Sequence, residues 1–372
     1  MNPPESPARA TAAPPVWLLL GHKAGDNNQV IALAESVGLP YVAKSLRYRR
    51  TELLTNLLCG PNLMGVLPEC RAALRPPWPG LVITAGRRNE PVARWIRHQS
   101  DHPVRLVHIG RPWARPERFD LIVTTPQYSL AGFANVISFD LPLHRIRSER
   151  LAQAAAEWSH RLDALPKPRI AVLVGGESGG FHLDRRKAQR LGRQVDALAS
   201  DLGGSLMITT SARTPDYAAE EMTAVLDAPH FVFEWSSDPQ DNPYLAFLAT
   251  ADRFVVTGES MSMLAEACAT RRPVYIFDMD DGSPRAGVGG SSSRTVRFAN
   301  ALRYKALTHR LAQHLAPLRM RRDVGRLHRA LIEAGRAVWL GQAFPDEDPP
   351  PLPDTREAAR RVRELMEIPA TS

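Results

Sequence analysis

RFVVTGESMSMLAEACATRRPVYIFD, residues 253–278, reads as strand, tight turn, helix, short loop and strand. Phe254-Val255-Val256-Thr257 is apolar and β-branched, the pattern of a strand buried on both faces. Gly258 permits a sharp turn with exposed backbone. Ser260 and Ser262 fall where a helix begins, and Ser is a favoured cap. Met263, Leu264, Ala267 and Cys268 make one apolar helical face. Arg271-Arg272-Pro273 ends the helix, and Val274 to Phe277 is the next strand. Such a unit turns free N–H groups and a positive helix end toward the carboxyl edge of a parallel sheet, a setting suited to phosphate.

The same alternation runs outward in both directions. In the first half, Val16–Leu20, Val42–Leu46, Leu81–Thr84, Val104–Ile109, Leu121–Thr124 and Val136–Phe139 read as strands, with helices at Gln29–Val37 and Pro91–Gln99. A helix over Ser148–Leu162, with Ser148 as its cap, precedes Leu165-Pro166-Lys167-Pro168, where the domain boundary is expected. In the second half, Ile170–Val174, Ser205–Thr209, His230–Glu234, Phe254–Thr257 and Val274–Phe277 read as strands. Helices are expected at Asp184–Asp201, Pro215–Leu226, Tyr244–Thr250 and Ser260–Ala269, then near 296–314 and 321–335. This predicts an α/β fold of two Rossmann-like domains with parallel sheets. Residues 1–15 are expected to be a disordered proline-rich tail, 16–164 the first domain, 168–350 the second, and 354–367 a final helix.

Composition narrows the function. The chain has 372 residues, the length of two ordinary domains. It carries 47 Lys and Arg against 39 Asp and Glu, a net charge of +8. That balance suits anionic ligands or a solvated surface. Arg clusters at 87–118 and 303–336 admit docking on anionic lipid. Few aromatics, 7% of the chain, and no recognisable reading motif leave nucleic acid unexpected. Three scattered cysteines argue against a disulfide framework or a zinc site. No apolar run approaches a membrane span.

Three turns in the second half are candidate ligand contacts. Gly175-Gly176-Glu177-Ser178-Gly179-Gly180 allows close backbone approach. Ser211 and Arg213 offer a hydroxyl and a guanidinium that fit phosphate oxygens. Gly258, Glu259, Ser260 and Ser262 would meet a diphosphate, and Glu266, further along that helix, can accept ribose hydroxyls. In the first half, Gly21 to Gln29 follows the first strand and opens a helix without the GxGxxG or GxxxxGK[ST] spacing. Its His22 and Asp26 are candidates for acid–base work, although a His at a strand end is also a common structural residue. The turn Thr84 to Pro91 adds Gly86, Arg87 and Arg88, placed to meet an anion or simply to be solvated. Asp278-Met279-Asp280-Asp281 has DxD spacing in a Gly-rich context that reads as a loop, so no metal site and a metal-independent mechanism are expected.

Five blocks occur in order: GHKAGDNNQ (21–29), LVITAGRRNEPVARW (81–95), LVGGESGGFHLD (173–184), TTSARTPD (209–216) and the stretch 242–278. Together they resemble the mitochondrial-fission ELM-like family, whose bacterial members are described as nucleoside-diphosphate-sugar epimerases and which is similar to GT-B glycosyltransferases. The resemblance implies two domains facing a central cleft, a nucleotide-diphosphate sugar as donor substrate, no other cofactor, and a final helix crossing back to the first domain. Carried over by position, Gly176, Ser211, Arg213, Gly258, Ser260, Ser262 and Glu266 would bind the donor. Gly25, Asn28, Gln29, Gly86 and Arg87 would face the acceptor. The expected activity is a glycosyltransferase. The alternatives are an epimerase or a non-catalytic fission-like protein docking on a membrane or a partner. A lipid-linked acceptor or an anionic membrane surface is the expected partner, in the cytoplasm or on the inner face of a membrane.

Overall fold

The computed structural model describes residues 16–49, 60–130, 132–178, 181–236, 242–279, 323–345 and 355–368. The proline-rich first fifteen residues, the helix expected near 296–314 and Asp280-Asp281 of the DxD spacing lie outside them. The chain divides into two compact units, the first holding residues 1–124, 131–137 and 355–372, the second 125–130 and 138–354.

The first domain is built on β1 (Val16–Leu20), α1 (Ala24–Val37), β2 (Tyr41–Ser45), the short α2 (Pro68–Arg71), β3 (Leu81–Ala85), α3 (Glu90–Gln99), β4 (Arg105–Ile109), β5 (Leu121–Thr124) and β6 (Val136–Ser138). Its six strands lie in the order β2-β1-β3-β4-β5-β6. The β1–β2, β1–β3, β3–β4 and β4–β5 pairs are all parallel. β3 is buried along its whole length and β1 at all but Leu20, as near-continuous apolar runs require in a sheet covered on both faces. The order reverses between β1 and β3. Loops leaving the carboxyl ends of two strands diverge there and open a crevice.

The second domain comprises α4 (Ser148–Leu162), β7 (Arg169–Leu173), α5 (Arg185–Leu202), β8 (Ser205–Thr209), α6 (Tyr217–Thr223), β9 (His230–Phe233), α7 (Tyr244–Thr250), β10 (Arg253–Thr257), α8 (Met261–Ala269), β11 (Val274–Phe277), α9 (Val324–Glu333) and β12 (Val338–Trp339). Its sheet runs β12-β11-β10-β7-β8-β9, with every pair parallel. Counted from β7 this is the Rossmann order 3-2-1-4-5-6, whose switch point lies between β7 and β10. Strand residues alternate between two core layers. Ala171, Leu173, Phe254 and Val256 pack with α4, α7 and α8, whereas Ile170, Val172 and Val255 pack with α5 and α6. Two Rossmann-like parallel-sheet domains are thus what the alternation led us to expect.

Three local expectations change. The boundary falls before α4, not at Leu165–Pro168. Trp158 and Leu162 are buried in the second domain's core, and Trp158, Phe231 and Phe247 form a chain of edge-on rings with centroids 6.2 and 6.0 Å apart. Ser148 is the first helical residue instead of the cap, which is Arg147 without a side-chain bond. Strand β12, only two residues long, was not anticipated.

The final helix, α10 (Thr355–Leu365), belongs to the first domain. Arg363 closes the carboxyl end of α1, donating from Nε to Val37 O and from Nη2 to Ser36 O, both at 2.9 Å. The last carbonyls of a helix lack intrahelical donors, and a cation there also meets the negative end of the helix dipole. Arg363→Ala is therefore expected to cost the first domain about 2 kcal/mol. Urea unfolding of the two proteins side by side measures it; an unchanged midpoint would mean that the contact is not formed in solution.

Among the described residues no helix is long and apolar enough to cross a membrane.

Candidate functional site

At the β7/β10 switch point three loops are stitched together. After β7, the Gly175 amide donates to Thr257 Oγ1 at 2.8 Å, and the Gly176 amide donates to Glu259 Oε1 at 2.7 Å. After β8, Thr214 Oγ1 donates to the carbonyls of Val174 and Gly175, and Ser211 Oγ donates to Gly175 O. The Glu177 amide donates to Arg213 O at 3.0 Å, closing the two loops on each other. Gly176 has φ +124, and a Cβ there would lie 2.2 Å from Arg213 O. Only glycine fits so close an approach in that conformation.

The expected ligand contacts come out divided. Arg213 is half exposed and carries its guanidinium to Ser260 Oγ at 3.4 Å and to within 3.9 Å of Glu259 Oε1. Those two loops do converge on one place. The glycine-loop amides, however, do not point free into the crevice as the sequence reading required. Gly176 is taken by Glu259, and Gly258 N–H donates to Phe277 O within the sheet edge at 3.0 Å. Ser211 spends its hydroxyl on the loop itself. Ser260 holds the cap position of α8 but makes no side-chain cap bond, and Ser262 is half-buried in the first turn. Glu266 gives Oε2 to the Tyr244 hydroxyl, so only part of its carboxylate is left for a ribose.

Glu259 is the residue that sequence reasoning misplaced. The sequence reading set it against a diphosphate with Gly258, Ser260 and Ser262, yet Glu259 is 1% exposed and its Oε2 is buried with no hydrogen-bond partner. Desolvation pushes its carboxyl up to about 7, against the pull of Arg213, Thr257 and the Gly176 amide. Desolvation likewise raises Glu266 to about 7, opposed by the Tyr244 hydrogen bond and by Arg150. The only clue in the sequence was the paired glycine opposite: a Cβ on Gly175 would lie 1.9 Å from Glu259 Oε1. From α9, His328 Nε2 donates to Gly258 O at 2.6 Å and holds the third loop down.

The first domain has its own concavity at the β1/β3 switch point. It is open to solvent and is lined by Gly21–Lys23, Asp26, Asn27 and residues 85–89. His22 and Asp26 both line it, and Arg88 Nη1 lies 3.3 Å from His22 Nδ1. Gly86 and Arg87 are in its wall, with Arg87 stacked 5.1 Å over Trp113. Gly25, Asn28 and Gln29 are not. Asn28 is exposed, and Gln29 Nε2 donates back to Gly25 O along α1. Asn27 takes the inward position instead, clamping Gly21 by bonds of 2.9 and 2.8 Å to its amide and carbonyl. Asn89 is also missed by the sequence reading; buried, it donates to Leu19 O and accepts from the Tyr48 hydroxyl. Three cationic side chains and a histidine against one carboxylate make this pocket a place for an anion.

Among the described residues no group of three potential ligands is placed to hold a metal ion.

Comparison with known proteins gives three results. The family model described as Mitochondrial fission ELM1 matches residues 24–366. The mitochondrial fission protein ELM1 of Arabidopsis thaliana is 28% identical over 243 residues, 59% of this chain and 56% of that protein. The match thus spans little more than half of that relative's length. Among solved structures, a glycosyltransferase from Rickettsia africae aligns over 95% of this chain and 98% of its own, at 10% identity and a TM-score of 0.47. A UDP-GlcNAc 2-epimerase from Neisseria meningitidis, bound to UDP-GlcNAc, aligns over 86% of this chain and 98% of its own, at 12% identity and a TM-score of 0.43.

Proposed function

The chain belongs to the mitochondrial fission ELM1 family, and from that premise we propose that it is a GT-B-like glycosyltransferase using a nucleotide-diphosphate sugar. The observation that supports this reading is the convergence of Gly176, Arg213 and Ser260 at the switch point of a sheet in Rossmann order. In this reading Arg213 and the first turn of α8 meet the diphosphate and stabilise the charge that develops on it as the sugar departs. The free part of Glu266 takes a ribose hydroxyl. An acceptor carrying a phosphoryl group, as a lipid-linked sugar does, suits the first-domain pocket with Lys23, Arg87 and Arg88. His22 or Asp26 is the base for its hydroxyl. An epimerase would use the same donor contacts and need no acceptor.

The test is calorimetry with UDP, GDP and their sugars. Binding that falls at least tenfold in Arg213→Ala and in Ser260→Ala supports the reading. Failure of every nucleotide to bind, together with salt-sensitive binding to anionic vesicles, would instead support a surface-docking protein.

A further inference from the structure

A carboxyl group occupies the place in the second domain that an anion would take. Glu259 Oε1 accepts the Gly176 amide at 2.7 Å and lies 3.9 Å from Arg213 Nη2. Arg213 in turn reaches Ser260 Oγ. A backbone amide bonded to the carboxyl oxygen and a guanidinium within ion-pair reach of it, itself in contact with a hydroxyl, are groups that a phosphate also uses. The loop is shaped around this occupant, since any side chain at Gly175 would collide with Glu259 Oε1. The second oxygen, Oε2, is buried and has no hydrogen-bond partner. A buried carboxylate with one oxygen unsatisfied is a costly state, and either a proton or a rearrangement relieves it.

Consider a diphosphate arriving at Arg213 and Ser260. With Glu259 ionised, the seat would hold two anions within a few ångströms, in a site where water screens them poorly. With Glu259 neutral, the Gly176 amide stays bonded to it, but Arg213 no longer shares its charge with a carboxylate and can serve the ligand. Arg213 is the one charge of opposite sign facing the carboxyl from the β8 loop. Thr257 and Ser260 face it from the β10 loop without charge. His328 on α9 meets Gly258 O rather than the carboxyl, and the Glu177–His182 pair of the β7 loop is closed on itself at 3.1 Å. Glu266 on α8 is the other carboxyl of the site that burial raises to about 7; its Oε2 accepts from the Tyr244 hydroxyl, and Glu259→Gln separates its uptake from that of Glu259.

Resting on the nucleotide reading above, we infer that Glu259 is a proton-carrying specificity residue of the second-domain site, so that a diphosphate binds there together with one proton. The proton comes from solvent, adds to the Glu259 carboxylate and makes no covalent bond with the ligand. The site then discriminates by charge: it favours a diphosphate whose binding is matched by proton uptake, and its affinity declines as the medium becomes alkaline.

UDP is the probe, with inorganic pyrophosphate as the base-free control. Calorimetry at about pH 8 in two buffers of different ionisation enthalpy counts the protons taken up. We expect close to one proton per UDP, and affinity falling about tenfold per pH unit above neutrality. Glu259→Gln, neutral at every pH, is expected to bind without uptake and with a flat profile. UDP binding by the unaltered protein with no uptake, or with the same uptake in Glu259→Gln, overturns the inference and leaves the nucleotide reading standing. If neither UDP, GDP nor pyrophosphate binds to either protein between about pH 6 and 8.5, the nucleotide reading falls and this inference with it. Should Glu259→Gln not fold, the two-buffer count on the unaltered protein decides alone.

Discussion

Gly176→Ala is expected to cost the second domain about 3 kcal/mol or more and to abolish anion binding. Two independent terms add. The backbone at φ +124 is one that side chains with a Cβ rarely adopt, a strain of about 1–3 kcal/mol. The added methyl would also lie 2.2 Å from Arg213 O and 2.7 Å from Thr214 Cα, and backbone atoms cannot swing aside as a flexible side chain can. Relief requires the β8 loop to move, which carries Arg213 away from Ser260 and breaks the Glu177–Arg213 bond that joins the loops. Gly203→Ala separates the two terms. Gly203 ends α5 at φ +63 with nothing within 4 Å of a Cβ, so only the backbone term of about 1 kcal/mol remains and binding is untouched. Urea unfolding and UDP calorimetry on both variants make the comparison. Equal losses in the two would show that the close approach of the β7 and β8 loops does not persist in solution.

The strands were legible because a parallel sheet covered on both faces writes short β-branched runs. The run Phe254–Thr257 and its counterpart at the start of β7 both fell where they were expected. Ownership of α4 was not legible. Its apolar face shows that something is buried, but not that Trp158 meets Phe231 and Phe247 of the later sheet. The positions of the ligand loops could be read from glycines and hydroxyls at strand ends. The direction of their side chains could not. Adjacent residues on a helix point about 100° apart, so nothing local told Asn27, which clamps Gly21, from exposed Asn28. Glu259 is the sharper case: its burial depends on a hole left by Gly175, more than eighty residues earlier in the chain.

The two domains are expected to respond to pH in opposite directions. His108 of β4 is fully buried beside Phe119, and desolvation holds its imidazole down to about 3 despite the opposing pull of a hydrogen bond to the Arg111 backbone. A histidine with a depressed folded value binds fewer protons folded than unfolded. Its contribution is complete above about pH 6.5 and is lost as the pH falls toward 3, roughly 3 kcal/mol between pH 7 and 4. Glu90 in the same domain is also raised by burial and works the other way. In the second domain the sign inverts. Glu259 is raised to about 7, so the folded state holds a proton that the unfolded chain has released. Stability is greatest below about pH 4.5 and declines as the pH rises to 7, by on the order of 3 kcal/mol for this residue. Glu266, also raised to about 7, adds in the same direction. Urea midpoints read domain by domain through hydrogen-exchange mass spectrometry should therefore move in opposite directions between about pH 4.5 and 7. His108→Leu is expected to flatten the acid limb of the first domain alone, and Glu259→Gln to reduce the slope of the second alone. Parallel slopes in both domains would mean that Glu259 is solvated in solution, and the anion seat would then have to be drawn without it.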